Sequence, residues 1–226
     1  MLQPPRLANP RTAMPDLRLI IGNKRYSSWS LRPWLALAHH GIPFEEIQIP
    51  LYTPTSKAEI LRHSPSGRVP ALLDGGLAVW DSIAVLEYLA DRFPALGLWP
   101  QDPARRAHAR SVSAEMHSSF AALRHAMPMD VVRPPSTLAL SPEVAADAAR
   151  IQAIWRNCRD QAGDGPFLFG AFGAADCMYA PVVTRFHTYG VALDPACRAY
   201  ADAVMALPAM QRWIAAAREE PWVLTF

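Results

Sequence analysis

The chain has 226 residues, of which 51% are hydrophobic and 19% charged, and its formal net charge is +2. That composition provides for one large or two small packed domains and excludes a chain disordered throughout. Charge so near balance, without clustered Lys and Arg, gives no electrostatic basis for nucleic-acid binding, and no apolar run reaches the roughly 18 residues of a membrane span.

Three cysteines, Cys158, Cys177 and Cys197, are few, odd in number and widely spaced. They fit free thiols in a reducing, cytoplasmic compartment better than a disulfide frame. The first sixteen residues are rich in proline and lack an apolar segment of the secretory kind. They read as a disordered extension, with Met14 as an alternative start.

Leu17–Ile21 is an apolar run bounded by Gly22 and reads as a buried strand. The stretch that follows, Asn23–Leu37, passes through three serines into an apolar helix ending near Gly41. Ser30 is the expected N-cap, because its oxygen can accept from the open N–H groups of a first turn that also contains Pro33. Ser27 and Ser28 then lie just ahead of a helix N-terminus, a place suited to an anion. Phe44–Ile49 reads as a strand closed by Pro50, and Ser56–Arg62 as a short helix. Strand, helix, strand, helix favours a parallel pair with a right-handed crossover.

Val69–Leu73 and Leu77–Trp80, joined by Asp74-Gly75-Gly76, read as a hairpin. A helix follows from Asp81 to about Arg92, with Ile83, Leu86 and Ala90 on one face. A βαβ unit followed by a hairpin and a helix is a thioredoxin-like arrangement. Residues 94–103 form a proline-rich linker. Beyond them the pattern is helical throughout: Ala104–Ala126, a proline-broken connection, then Glu143–Gln161, Ala174–Tyr189, Pro195–Ala206 and Ala209–Ala217. The expected organisation is therefore an α/β domain over 17–93 and an all-α domain over 104–226.

Tyr26-Ser27-Ser28-Trp29-Ser30, Arg68-Val69-Pro70-Ala71-Leu72 and Asp81-Ser82-Ile83-Ala84-Val85-Leu86-Glu87-Tyr88-Leu89 together resemble a glutathione S-transferase, in that family's order and spacing. The second half matches more loosely, through Phe167–Gly170 and Ala174–Pro181. Among the branches, the serine loop is most similar to the zeta-like type. The resemblance implies a two-domain fold, glutathione as co-substrate, a small electrophile as second substrate and a homodimer, and since His39, His40 and the three cysteines have no partners at metal-ligand spacing, no metal is expected.

It also implies roles for particular residues. Val69-Pro70 resembles the family's cis-proline turn, beside which a peptide backbone pairs, although any X-Pro in a hairpin looks similar locally. Asp81 and Ser82 open a helix and suit the γ-glutamyl end, with simple capping as the plain alternative. Arg68 suits the glycyl carboxylate. Ser27 is the first choice and Ser28 the second for a hydroxyl that donates to the thiolate, with Tyr26 third. The second-substrate pocket is expected between this loop and the first helix of the all-α domain. Its candidates are Tyr26, Trp29, His117, Phe120, Arg124 and Met127, of which Phe120 and Met127 are also ordinary core residues. Lys24 and Arg25 read as a solvated face.

Asp176 resembles the family's buried capping aspartate, but Gly173 stands where that box usually has Ser or Thr. Trp29 stands where zeta-like enzymes carry cysteine, so this loop has no protein thiol for disulfide exchange. Conjugation of glutathione to an electrophile is the leading reading. Glutathione-dependent cis–trans isomerisation of an unsaturated diacid and a non-catalytic glutathione-binding module are the alternatives.

Overall fold

The computed structural model describes residues 16–224, and the expectations for the N-terminal tail and Met14 lie outside that range. Four strands, β1 (Leu17–Ile21), β2 (Glu45–Gln48), β3 (Ala71–Asp74) and β4 (Leu77–Trp80), form one sheet in the order β2-β1-β3-β4. β1 runs parallel to β2, connected through helix α1 (Ser28–His39), and antiparallel to β3, while β3 and β4 form the hairpin. Successive side chains of β1 point to opposite faces. Leu17, Leu19 and Ile21 join the main core with α1 and α3 (Ser82–Arg92), whereas Ile20 packs with Ile60 of α2 (Ser56–Leu61) on the other face.

From residue 103 onward the described residues form helices α4 (Pro103–Ser118), α5 (Ala121–Ala126), α6 (Pro142–Asp160), α7 (Ala174–Thr188), α8 (Pro195–Met205) and α9 (Pro208–Arg218). α7 is buried along nearly its whole length and packs on α1 and α4, so one continuous apolar core serves both halves of the chain.

Three local expectations are corrected. Ser27, not Ser30, caps α1: its oxygen accepts from Ser30 N–H. Pro33 consequently lies inside the helix, where its missing N–H forfeits the bond to the Trp29 carbonyl. The expected single helix over 104–126 is two. Phe120 adopts a left-handed φ of 65° and buries its ring in the core, and Arg124 donates to the Met116, His117 and Ser119 carbonyls at the end of α4. Burial of one aromatic ring and satisfaction of the open carbonyls break a run whose sequence has no helix breaker.

Asp176 behaves as the capping residue, and the structure explains the glycine before it. One carboxylate oxygen accepts from Gly173 N–H at 2.8 Å and the other from Leu168 N–H at 3.0 Å. A Cβ at Gly173 would lie 2.7 Å from the Leu98 carbonyl oxygen, so no Ser or Thr fits there. Burial pushes the Asp176 carboxyl up to about 7, and the two N–H bonds hold it down against that. Each buried N–H left unsatisfied costs about 1–3 kcal/mol. Asp176→Ala is therefore expected to lower folding stability by about 3 kcal/mol, read as a shift in the urea midpoint. A change within 0.5 kcal/mol, an order-of-magnitude bound typical of a neutral surface substitution, would remove Asp176 from this role.

Candidate active site

A cleft of about 680 Å³ opens beside the N-terminus of α1, and a second of about 540 Å³ adjoins it. Trp29, Arg68 and Val69 line both and form the ridge between them.

The loop leading to the serines is fixed by residues remote in sequence. Glu220 accepts from the consecutive N–H groups of Lys24 (2.5 Å) and Arg25 (3.1 Å), and also from the Gln48 side chain. Trp213 Nε1 donates to the Lys24 carbonyl at 2.8 Å. Arg25 makes a two-pronged pair with Asp130 at 2.8 and 2.9 Å, and its carbonyl accepts from Val131 N–H. Lys24 is only 7% exposed and pairs with Glu46. The expected solvated face at Lys24 and Arg25 is thus incorrect: both are spent holding the loop. Tyr26 Oη accepts from Leu224 N–H at 3.0 Å, which turns this hydroxyl toward the C-terminal segment.

The two serines differ. Ser27 donates its hydroxyl to Ser30 Oγ at 2.7 Å while capping α1, and Ser30 Oγ also accepts from Gly22 N–H. Ser28, at the first position of α1, lines the larger cleft, and its hydroxyl has no hydrogen-bond partner among the described residues.

The smaller cleft is lined by Pro70, Asp81, Ser82 and His117 as well as the shared ridge, and the Val69–Pro70 bond is cis. Asp81 caps α3 through Ile83 N–H at 3.0 Å, and its other oxygen lies 3.4 Å from His117 Nε2. Ser82 Oγ accepts from Arg32 Nη1 at 3.1 Å. Arg32 is fully buried and its guanidinium lies 4.1 Å over the Trp29 ring. Burial pushes it well below its ordinary pKa, and neither Nε nor Nη2 finds a hydrogen-bond partner among the described residues. The structure thus brings together Ser27, Ser28, Trp29, Arg68, Val69, Pro70, Asp81, Ser82, His117 and Arg124 around two joined clefts. His117 packs edge-on to Trp29 at 5.2 Å, and Arg124 stands 4.9 Å from the same ring. Phe120 and Met127 line neither cleft and are core residues.

Four residues of the site escape a reading of the sequence: Arg32, Lys57, Arg185 and Glu220. Arg185 carries the one available signal, an arginine within a largely apolar helix that is buried along nearly its whole length. Among the described residues no cluster of three or more His, Cys, Asp or Glu could hold a metal ion, and no helix is long and apolar enough to cross a membrane.

A thioredoxin-like sheet, an all-α partner and a serine loop at the N-terminus of α1 define the class, and the comparisons agree. Residues 26–92 match the glutathione S-transferase N-terminal domain and residues 141–216 the C-terminal domain. The maleylacetoacetate isomerase of Pseudomonas aeruginosa is 30% identical over 201 residues, covering 82% of this chain and 91% of that protein. A glutathione S-transferase of Escherichia coli K12 is 26% identical over 169 residues, 74% of this chain and 76% of that one. A match to the probable maleylacetoacetate isomerase of Caenorhabditis elegans is shorter, 32% over 99 residues, and spans about half of that relative (46%). Among solved structures, a Burkholderia glutathione transferase homolog with bound glutathione superposes with a TM-score of 0.69 at 22% identity, covering 90% of this chain and 98% of that one. The theta-class enzyme of Xanthomonas axonopodis, also with glutathione bound, gives 0.65 at 25% identity, covering 89% and 98%. The chain belongs to the glutathione S-transferase family.

The clamp on the serine loop has a measurable consequence. Glu220→Ala is expected to raise the exchange rates of the Lys24 and Arg25 amides by at least about tenfold, about 1.4 kcal/mol of lost local protection. Unchanged rates by hydrogen exchange would mean that Glu220 does not hold the loop.

Proposed function

We propose that this protein binds glutathione across the two joined clefts, ionises its thiol and adds the thiolate to a small electrophile. The observation that carries the reading is the Ser28 hydroxyl. It opens on the cleft without a partner at the first position of a helix, while Ser27 is occupied as the cap. Ser28 thus takes the role for which the loop sequence alone ranks Ser27 first.

In this reading the γ-glutamyl carboxylate meets Ser82 and the first N–H groups of α3, and Asp81 faces the ammonium group. Arg32 donates to the Ser82 oxygen and so leaves the Ser82 proton free for that carboxylate. Val69, on the ridge shared by both clefts, offers its backbone to the cysteinyl unit, and Arg68 or Lys57 meets the glycyl carboxylate.

A free thiol has a pKa of about 8.5, so only a few per cent is ionised at neutral pH. A hydrogen bond from Ser28 to the charged sulfur contributes about 1.5–3 kcal/mol, and the helix N-terminus about 0.3–1 kcal/mol. At about 1.4 kcal/mol per pKa unit, these lower the thiol by one to three units, which raises the ionised share at pH 7 from a few per cent to between about a quarter and nearly all. The thiolate then forms a C–S bond to the electrophile, and the leaving group departs with the bonding pair.

A second reading, glutathione-dependent cis–trans isomerisation of an unsaturated diacid, is favoured by one observation: the Pseudomonas aeruginosa relative named as a maleylacetoacetate isomerase. In that chemistry the thiolate adds to the double bond and is expelled after rotation, so no leaving group is needed. We also read the chain as a cytosolic homodimer. Sedimentation at about twice the 24.9 kDa chain mass tests the assembly.

The protein is expected to be retained on immobilised glutathione and to conjugate 1-chloro-2,4-dinitrobenzene. Failure to be retained would sink both enzymatic readings, and retention without any turnover would leave a binding module. Ser28→Ala should raise the thiol pKa of bound glutathione by about one to two units, read from thiolate absorbance against pH. Ser27→Ala should instead cost about 1 kcal/mol of stability through loss of the cap. The reverse pattern would return the sulfur contact to Ser27.

A further inference from the structure

The larger cleft is lined by four cationic side chains, Lys57, Arg68, Arg124 and Arg185, and no Asp or Glu is among its described lining residues. Lys57 and Arg68 flank the ridge at Val69, where the proposed glutathione site accounts for a cation. Arg124 and Arg185 come from α5 and α7, across the cleft, and nothing in the glutathione site requires them.

Arg185 is 5% exposed and lines the cleft. It donates Nε to the Met127 carbonyl at 2.8 Å and Nη1 to the Pro181 carbonyl at 3.3 Å, which leaves Nη2 without a partner among the described residues. Arg124 donates Nε and Nη2 to carbonyls at the end of α4, which leaves Nη1 without a partner among the described residues. Neither guanidinium is ion-paired with a carboxylate among the described residues. Burial first, and then the neighbouring Arg124 cation, pushes Arg185 down to about 9, so it remains charged at neutral pH. Burial likewise lowers Arg124, with Asp147 on α6 acting weakly the other way.

Two desolvated cations that repel one another cost stability unless an anion completes them. The carbonyl bonds explain how each guanidinium is aimed but use only part of its fork, and the free edge suits an oxyanion. Leu51, Pro128 and Met129 supply apolar wall beside them.

We infer that Arg124 and Arg185 form an anion subsite for the second substrate, so that the preferred electrophile carries a carboxylate or similar oxyanion on an apolar body. The inference rests on the transferase reading above and specifies the substrate class of the same cleft.

A matched pair of electrophiles tests it: 4-chloro-3,5-dinitrobenzoate and its neutral methyl ester. In both, glutathione sulfur attacks the ring carbon bearing chlorine, the C–S bond forms, the C–Cl bond breaks and chloride leaves with the electron pair. With each rate divided by its uncatalysed rate, the unmodified protein is expected to favour the acid at least tenfold in kcat/KM. Arg124→Gln and Arg185→Gln should each reduce that acid-to-ester ratio at least tenfold, through KM for the acid. The Arg124 variant carries the test alone if the more deeply buried Arg185 variant does not fold.

Preference for the ester overturns the inference. So does an equal loss on both substrates accompanied by a raised thiol pKa, which would assign the arginines to the thiolate. If neither compound is turned over while glutathione is bound, the transferase reading fails, and calorimetry on the glutathione-saturated protein decides the subsite. At least tenfold tighter binding of 3,5-dinitrobenzoate than of its methyl ester upholds it, and equal or weaker binding overturns it.

Discussion

Packing of α1 between the sheet and α7 is the constraint from which the rest of the molecule follows. Leu31, Leu35 and Leu37 on α1 are buried, and the helix contacts α3 and β1 on one side and α7 and α9 on the other. A helix shared in this way cannot tilt without opening both halves of one core. Its N-terminus is therefore held at the boundary between the α/β and all-α parts, where two joined clefts lie. At that end Ser27 caps the first turn and Ser28 lines the larger cleft, while the Ser30 hydroxyl is turned inward to Ser27 and Gly22.

The loop ahead of α1 is secured by polar means instead. Its backbone leaves the ladder after Ile21, and the orphaned N–H groups of Lys24 and Arg25 find a carboxylate from the far end of the chain, Glu220. Trp213 and Asp130 complete the enclosure from two other elements. These contacts fix the backbone that leads into Ser27 and Ser28 before any ligand arrives.

Local chemistry made much of this legible from the residues alone. A short apolar run in Leu17–Ile21, two glycines between short apolar runs and an Asp-Ser step ahead of an apolar helix are written in adjacent positions, and each element formed where those patterns lie. The features that were not legible depend on partners far away in sequence. The register of the cap at Ser27 rather than Ser30 follows from a hydroxyl pair that also serves Gly22 N–H. The break at Phe120 follows from a core that accepts its ring and an arginine that satisfies the carbonyls left open. Lys24 and Arg25 look like surface charges until Glu46 and Asp130 arrive from other elements.

Trp29 shows how one side chain can set the chemistry of both clefts. Its ring carries the Arg32 guanidinium at 4.1 Å and the Arg124 guanidinium at 4.9 Å, with His117 edge-on at 5.2 Å. An aromatic face attracts cations, each contact contributing about 0.5–1 kcal/mol when exposed and about 2 kcal/mol when desolvated. The indole thus offsets part of the cost of gathering positive charge beside the serine loop. A cysteine at this position would offer a nucleophile but no face for either guanidinium. With tryptophan there, the loop supports two guanidinium groups and carries no thiol of its own.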